Sequence, residues 1–405
     1  GHLMKPVDRP QRWLILAHPF NMDGRAASHT ITDKIPHLLA AGIELVVISG
    51  VTGRHDDRFE HHQVWSWGPS GFKFELRHVL KQKIHSKLGY RIPMLLMSLI
   101  LLPLIFIERL LKPVEGSWSW CFSATHLGRR LARQKPFDLI YSTAGPFAAH
   151  LAAQSLKKAQ KVPWLAEIHD PLVLPGTIPA TRRQKAYADV ERRICEDADI
   201  AIWFTDQALE SARKRHPVLG DKGRVMLPGV DNPFHGQVPD YSPTDKLKLG
   251  HFGSLSRTRT LLPFINAMSK LKEHNPEVLR DIEIHVFGGA LDEPSMLLAT
   301  SFQVLKYICQ HGRLETDPNT GHSGRSQVLN YMRQCDALIL VHGDDAMCSE
   351  YIPSKLYEYL WMKRPIIATV HDNLQMANIL NQHGHYVAVS SLNSSDSYEI
   401  CSSQI

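Results

Sequence analysis

Between residues 350 and 358 the chain reads Glu-Tyr-Ile-Pro-Ser-Lys-Leu-Tyr-Glu, which sets two carboxylates around a proline, a hydroxyl and a lysine. Pro353-Ser354 suits the opening of a helix directly after a loop. Such an opening leaves backbone N–H groups without intrahelical partners and concentrates the positive end of the helix dipole, so it attracts anions. Lys355 adds a full positive charge there. Glu350, in the loop before it, can accept hydrogen bonds from hydroxyls, and Glu358, one turn past Ser354, faces the same side. Two such carboxylates around a phosphate-seeking helix start would suit a sugar, a diphosphate and a ribose. A capped helix with surface glutamates is the alternative this segment leaves open.

A second group lies in Gly250-His-Phe-Gly-Ser-Leu-Ser-Arg-Thr-Arg259, where Arg257 and Arg259 follow a strand-end glycine, Gly253. Arginine forks on a diphosphate are sound chemistry. A third is Trp164-Leu-Ala-Glu-Ile-His-Asp-Pro171, with His169 and Asp170 just past a strand, where α/β sheets place ligands. Asp170 is a candidate for polar contact with an acceptor and for proton removal; capping of the turn before Pro171 is its structural alternative. The loop 18–25, with Asn21, Gly24 and Arg25, the pair Gly288-Gly289 and the stretch 142–146 are similarly placed at strand ends. Either glycine motif alone is weak evidence.

Together these segments resemble the retaining GT-B glycosyltransferases, in particular the family 4-like group. Residues 350–358 look like its E-x7-E segment, and the wider phrases 353–360 and 363–369 resemble the bacterial surface-polysaccharide members. The resemblance implies that Glu350 binds donor-sugar hydroxyls, that Glu358 binds the ribose, and that Pro353, Ser354, Lys355 and Leu356 contact the diphosphate. Arg259 matches the family's phosphate-binding lysine. Ser254 stands where many members carry arginine, a place Arg257 can fill. Glu167 and His169 replace an aspartate and an arginine in the family's strand phrase, and His169 is expected near the donor sugar. Gly288 falls where the nucleotide base lies, and Asn21, Gly24 and Arg25 where a loop reaches the acceptor or the donor phosphate. Transfer with retention, no metal and no further cofactor are implied. The resemblance runs from about residue 13 to about 381. Family members usually finish with a helix crossing back to the first domain; the Ser-rich tail from Val387 predicts that this helix is missing or truncated.

The elements that must position these residues follow from periodicity. Short apolar runs alternate with helical patterns, as in βαβ units with a parallel sheet. Strands are expected at 13–17, 43–48, 137–141, 164–168, 200–203, 247–252, 282–287, 337–341 and 365–369. Helices are expected near 27–41, 148–160, 184–195, 261–272, 326–334 and 354–361. A turn-rich stretch, 227–243, interrupts the rhythm. The expected fold is therefore α/β with GT-B architecture: two Rossmann-like domains, 5–240 for the acceptor and 241–405 for the nucleotide sugar, their parallel sheets facing across a cleft.

One segment breaks the pattern. Residues 92–107 are uncharged and nearly all Leu, Ile, Met and Phe, interrupted by Pro93 and Pro103, within an insert at about 77–113. The run falls short of the roughly 20 apolar residues of a membrane span. It reads either as a buried core helix or as a helix or hairpin in the membrane interface. Lys87 and Arg91 before it and Arg109 and Lys112 after it favour the interface, and the basic cluster at 77–91 suits an anionic membrane.

Composition bounds the rest. The 405 residues suffice for two domains, and 43% hydrophobic with 21% charged residues is globular. The formal charge of +6 lacks the extended basic stripes of a nucleic-acid binder. Six scattered cysteines, with no CxxC and no HExxH, speak against a disulfide framework and a zinc cluster. Gly1-His2-Leu3-Met4 reads as a cloning remnant, and the apolar run at 13–17 is too short for a signal peptide. A cytoplasmic protein, peripheral at the inner membrane face, is expected. Competing readings are a GT-B-fold nucleotide-sugar epimerase and a non-catalytic nucleotide-sugar or glycan-binding subunit. An NAD dehydrogenase is disfavoured because no GxGxxG follows the first strand.

Overall fold

The computed structural model describes residues 9–22, 25–228, 232–234 and 238–390. The chain divides into two compact units, Gly1–Gly229 and Val230–Ile405. Residues 239 and 240, expected in the first domain, bond to the second unit, as does the adjacent Tyr241. The Pro239 carbonyl accepts from Arg333 (3.3 Å), the Asp240 carbonyl from Gln334 (2.5 Å), and Tyr241 donates to Asp336.

Unit 1 runs β1 (Arg12–Ala17), α1 (Ala26–Thr32), α2 (Ile35–Ala40), β2 (Glu44–Gly50), β3 (Glu60–Val64), α3 (Pro69–Lys83), α4 (Lys87–Leu111), α5 (Trp120–Gln134), β4 (Leu139–Ser142), α6 (Ala148–Gln160), β5 (Trp164–Ile168), α7 (Arg182–Asp197), β6 (Ile200–Trp203), α8 (Asp206–Arg215) and β7 (Gly223–Val225). Unit 2 runs β8 (Leu247–Phe252), α9 (Leu262–His274), α10 (Pro276–Arg280), β9 (Ile282–Phe287), α11 (Glu293–Ser301), β10 (Ile308–Gly312), α12 (Gly324–Gln334), β11 (Ala337–Val341), α13 (Ser354–Trp361), β12 (Ile366–His371), α14 (Leu374–Gln382) and β13 (Tyr386–Ser390).

The strand orders are β3-β2-β1-β4-β5-β6-β7 and β10-β9-β8-β11-β12-β13, parallel throughout. Central strands are covered on both faces, which is why Leu14, Ile15 and Leu16 or Leu338, Ile339 and Leu340 occur as unbroken apolar runs with almost no exposure. Each sheet reverses its winding once, between β1 and β4 and between β8 and β11. Chains leaving the carboxyl ends of such a pair diverge to opposite faces and open a crevice there. The topology thus fixes where each unit can hold a ligand.

The helix expected over 27–41 is two, α1 and α2, with Pro36 at the start of the second, where a missing N–H costs nothing. The apolar segment departs further from expectation. It is neither a core helix nor a hairpin broken at its prolines, but part of one 25-residue helix, α4, containing Pro93 and Pro103. Each proline deprives the carbonyl four residues back of its partner; those carbonyls belong to Gly89 and Leu99, both exposed. Met94, Leu101, Ile105 and Glu108 form the buried stripe of α4, whereas Leu95, Leu99, Leu102 and Phe106 are 51–65% exposed. By length and composition α4 could cross a membrane, with mean hydropathy 2.2 over its most apolar window. The expectation about a final helix falls on 391–405, outside the described residues.

Candidate functional site

In unit 2, two glycine turns meet at the crevice between β8 and β11. Gly253, at φ 126°, follows β8 and donates its N–H to the Phe287 carbonyl at 3.0 Å. Gly288, at φ 97°, follows β9, and a Cβ there would come within 2.9 Å of the Gly253 nitrogen. Neither backbone conformation nor spacing admits a side chain at Gly288. Behind them Phe252, Phe287 and His311 stack, with ring centroids 4.7 and 4.1 Å apart.

The loop after Gly253 closes on itself. Ser256 Oγ accepts from the Arg259 amide (3.1 Å), and the Asp344 amide donates to the Thr258 carbonyl (2.9 Å), which ties this loop to the one following β11. Ser254 is exposed. Arg257 reaches away to an exposed ion pair with Glu293 at 2.8 Å, so it does not take the place left by Ser254. Arg259 is half-buried and stays near the strand ends. Burial first, then the charges of Lys355 and Arg259, pushes His251 down to about 4; burial, then His371 and Arg259, does the same to His342. Both imidazoles are thereby neutral, and the crevice keeps its positive charge in Arg259 and Lys355.

Pro353 is the N-cap of α13 and Ser354 its first residue; no side chain caps it. Lys355 stands in its first turn, and burial lowers its ammonium while Glu358 opposes the drop. Glu358 does not stand alone. Arg325, in the first turn of α12, grips it with both Nη atoms at 3.1 and 3.2 Å, and Lys355 lies 3.6 Å away. Leu356 points into the core with no exposure, and its amide donates to the Pro353 carbonyl, so it supports the helix start rather than lining a site. Glu350 is buried at 2% exposure at the end of a short turn. The segment after that turn is pinned by Asn373, whose Nδ2 donates to the carbonyls of Cys348 (2.8 Å) and Tyr351 (2.9 Å). Arg325, His342 and Asn373 had no local signal, since each is brought here from a different element; His251 lies within the phrase 250–259.

In unit 1 the strand ends surround a cavity of about 440 Å³, lined by Arg25, Glu115, Ala144–Pro146, His169, Asp170, Arg183 and Tyr187 among others. His169 is positioned by a buried hub. Glu167, with no exposure, accepts from Lys34, from Tyr141, from Thr143 Oγ1 (2.7 Å) and at 2.9 Å from His169 Nε2. These donors outweigh burial and hold its carboxyl below the usual range. Asp170 lines the same cavity, and partial loss of surrounding water raises its carboxyl against the opposing charge of His169. Glu115, missed by the sequence reading, is pushed up to about 7 by burial, with Arg183 and Arg25 opposing. Asn21 serves the loop after β2 instead, donating to the Arg54 carbonyl and Asp56, both at 3.2 Å. Gly24 lies outside the described residues. Ser142 is spent structurally, accepting from Trp164 Nε1 and paired with His150, both at 2.8 Å.

Among the described residues, one grouping on neighbouring strands could hold a metal. Glu283 and His285 on β9 and Cys309 on β10 bring ligand atoms within 4.8 Å of one another.

No family model and no curated protein matches the sequence. Solved structures do. WaaG, a glycosyltransferase involved in lipopolysaccharide biosynthesis, superposes with TM-score 0.52 at 14% identity, over 97% of this chain and 90% of that one. A trehalose-6-phosphate structure from E. coli, bound with UDP-2-fluoro glucose, gives 0.58 at 13%, over 97% and 90%. WaaB, a lipopolysaccharide outer core galactosyltransferase, gives 0.52 at 11%, over 98% and 94%. The fold is that of the GT-B glycosyltransferases. This likeness spans both units of the chain and establishes the architecture; what each crevice binds is argued from its own residues.

Proposed function

We propose that this chain is a retaining, metal-independent glycosyltransferase of the family 4-like group. Unit 2 holds a nucleotide-diphosphate sugar and unit 1 holds a glycan or lipid-linked acceptor. The observation that carries the reading is the crevice of unit 2. Arg259, Lys355 and the start of α13 gather positive charge beside two glycine turns that let a ligand approach the backbone. Groups fixed in this way stabilise the charge that develops on a departing diphosphate without having to reorganise. Glu350 and Glu358 supply acceptors for sugar and ribose hydroxyls, with Arg325 orienting the second. The unit 1 cavity, with His169, Asp170 and Glu115, offers hydroxyl-binding groups for an acceptor, which an epimerase would not need. The names of the structural neighbours, two of them tied to lipopolysaccharide, support a role in bacterial surface polysaccharide assembly.

The exposed face of α4 supports a peripheral position on the cytoplasmic membrane face. α3 packs along α4 and exposes Arg77, Lys81 and Lys83, so a span would drag these charges into hydrocarbon. An in-plane α4 leaves them at the headgroups. The test is incubation with UDP-, GDP- and dTDP-sugars, EDTA and a bacterial lipid extract. Release of one nucleoside diphosphate, with label passing to the lipid fraction as the retained anomer, is expected. Acceptor-independent isomerisation of the sugar would replace this reading with the epimerase.

A further inference from the structure

The foot of α4 carries a second cavity, of about 450 Å³, whose lining includes Glu108, Arg109, Lys112 and Arg183. Arg183 also lines the cavity that holds Glu115 and Asp170, so one guanidinium borders both spaces. It is held there by the Pro113 carbonyl (3.3 Å) and the face of Tyr187 (5.1 Å). The one carboxylate in the lining is committed: Glu108 accepts from the Ser70 amide at 2.9 Å and from Trp118 Nε1 at 2.7 Å. Three cations therefore line a space whose one carboxylate is already hydrogen-bonded, Lys112 lying over the rings of Trp118 and Phe147 at 5.6 and 5.3 Å, and such a lining fits a multiply charged oxyanion. Their neighbours in sequence are Leu110 and Leu111, 56% and 69% exposed, which continue the apolar face of α4 to the cavity's edge.

We infer that the acceptor is a lipid bearing a phosphate ester: its phosphate seats on Arg109, Lys112 and Arg183, its hydrocarbon lies along α4, and the remaining headgroup reaches Glu115 and Asp170. This deepens, and rests on, the reading of unit 1 as the acceptor side. The arrangement accounts for an apolar helix ending in a basic cavity, which membrane attachment alone does not require.

Flotation of the full chain with vesicles tests it. Phosphatidylcholine would be doped with phosphatidic acid, which presents a phosphate monoester, or with phosphatidylserine at matched charge. Binding to the phosphatidic acid vesicles should be the tighter, and Arg109→Ala/Arg183→Ala should lower it about tenfold, to the phosphatidylserine level. Circular dichroism and nucleotide affinity of the variant should stay at parent values, which separates loss of the seat from misfolding. Equal binding to the two lipids, or no change in the variant, would overturn the phosphate seat. Tight binding of inorganic phosphate with no vesicle binding would overturn the lipid and leave a soluble phosphate ester as the ligand. Nucleotide-sugar cleavage is read separately, so failure here leaves the donor assignment standing.

Discussion

The two crevices sit at equivalent points of similar sheets, yet they are built from different materials. Unit 2 gathers cations and backbone: Arg259, Lys355 and Arg325, two touching glycine turns and a helix start. Unit 1 sets carboxylates and imidazole beside its cations: Glu115, Asp170 and His169, the last steered by buried Glu167, with Arg25 and Arg183 in the same lining. One suits a ligand whose charge must be neutralised, the other a ligand whose hydroxyls must be oriented. The comparison teaches that in this fold topology supplies the place and local chemistry decides the ligand.

The sharpest way to break the comparison is at the hub of unit 1. Glu167→Ala leaves Lys34 with no counter-charge and His169 with Thr143 as its remaining partner at 2.8 Å, and should cost about 3–5 kcal/mol in urea unfolding. A loss below about 1 kcal/mol would show that the hub is decorative. In unit 2, Arg325→Ala should weaken nucleotide binding on the order of tenfold or more by calorimetry, and the double variant with Glu358→Ala should be little worse than Glu358→Ala alone. Additive losses would mean that the fork is incidental. Gly288→Ala, forced into φ 97° against the Gly253 backbone, should cost about 1–3 kcal/mol.

The smallest effects concern pH and have opposite signs. Glu115 is raised, so the stability linked to it is complete below its unfolded value near 4.5 and is lost as pH rises towards about 7. Glu115→Gln should therefore raise the Tm by a few degrees at pH 8 and leave it unchanged at pH 4. His251 is depressed from 6.5 to about 4, so its contribution is present above pH 6.5 and is lost as pH falls through that window. His251→Asn should flatten the acid limb of the Tm profile.

What the sequence discloses follows from the same contrast. The donor-type features lie in contiguous phrases, 250–259 and 350–358, so their spacing is readable. The unit 1 cavity draws on residues 25, 115, 144–146, 169–170, 183 and 187, and no local pattern joins Glu115 or Arg183 to Asp170. Central strands announce themselves by apolar runs. The four strands missing from the sequence reading, β3, β7, β10 and β13, are the edges of the two sheets. An edge strand is covered less, so Glu-His-His-Gln-Val at 60–64 and Ile-Cys-Gln-His-Gly at 308–312 carry polar residues that hide the period. α4 reads short because the uncharged run stops at Arg91 and Glu108, whereas the helix continues past these charges to Lys87 and Leu111.

The central claim is that unit 2 holds a nucleoside diphosphate. Calorimetric titration of the full chain with UDP, GDP, dTDP, CMP and NAD, EDTA present, should show one nucleoside diphosphate binding tightly. Glu358→Ala should weaken that binding on the order of a hundredfold, as truncating one partner of a hydrogen-bonded charge pair does. Binding of none of them, or binding indifferent to Glu358, would contradict the account and favour a non-catalytic glycan-binding subunit.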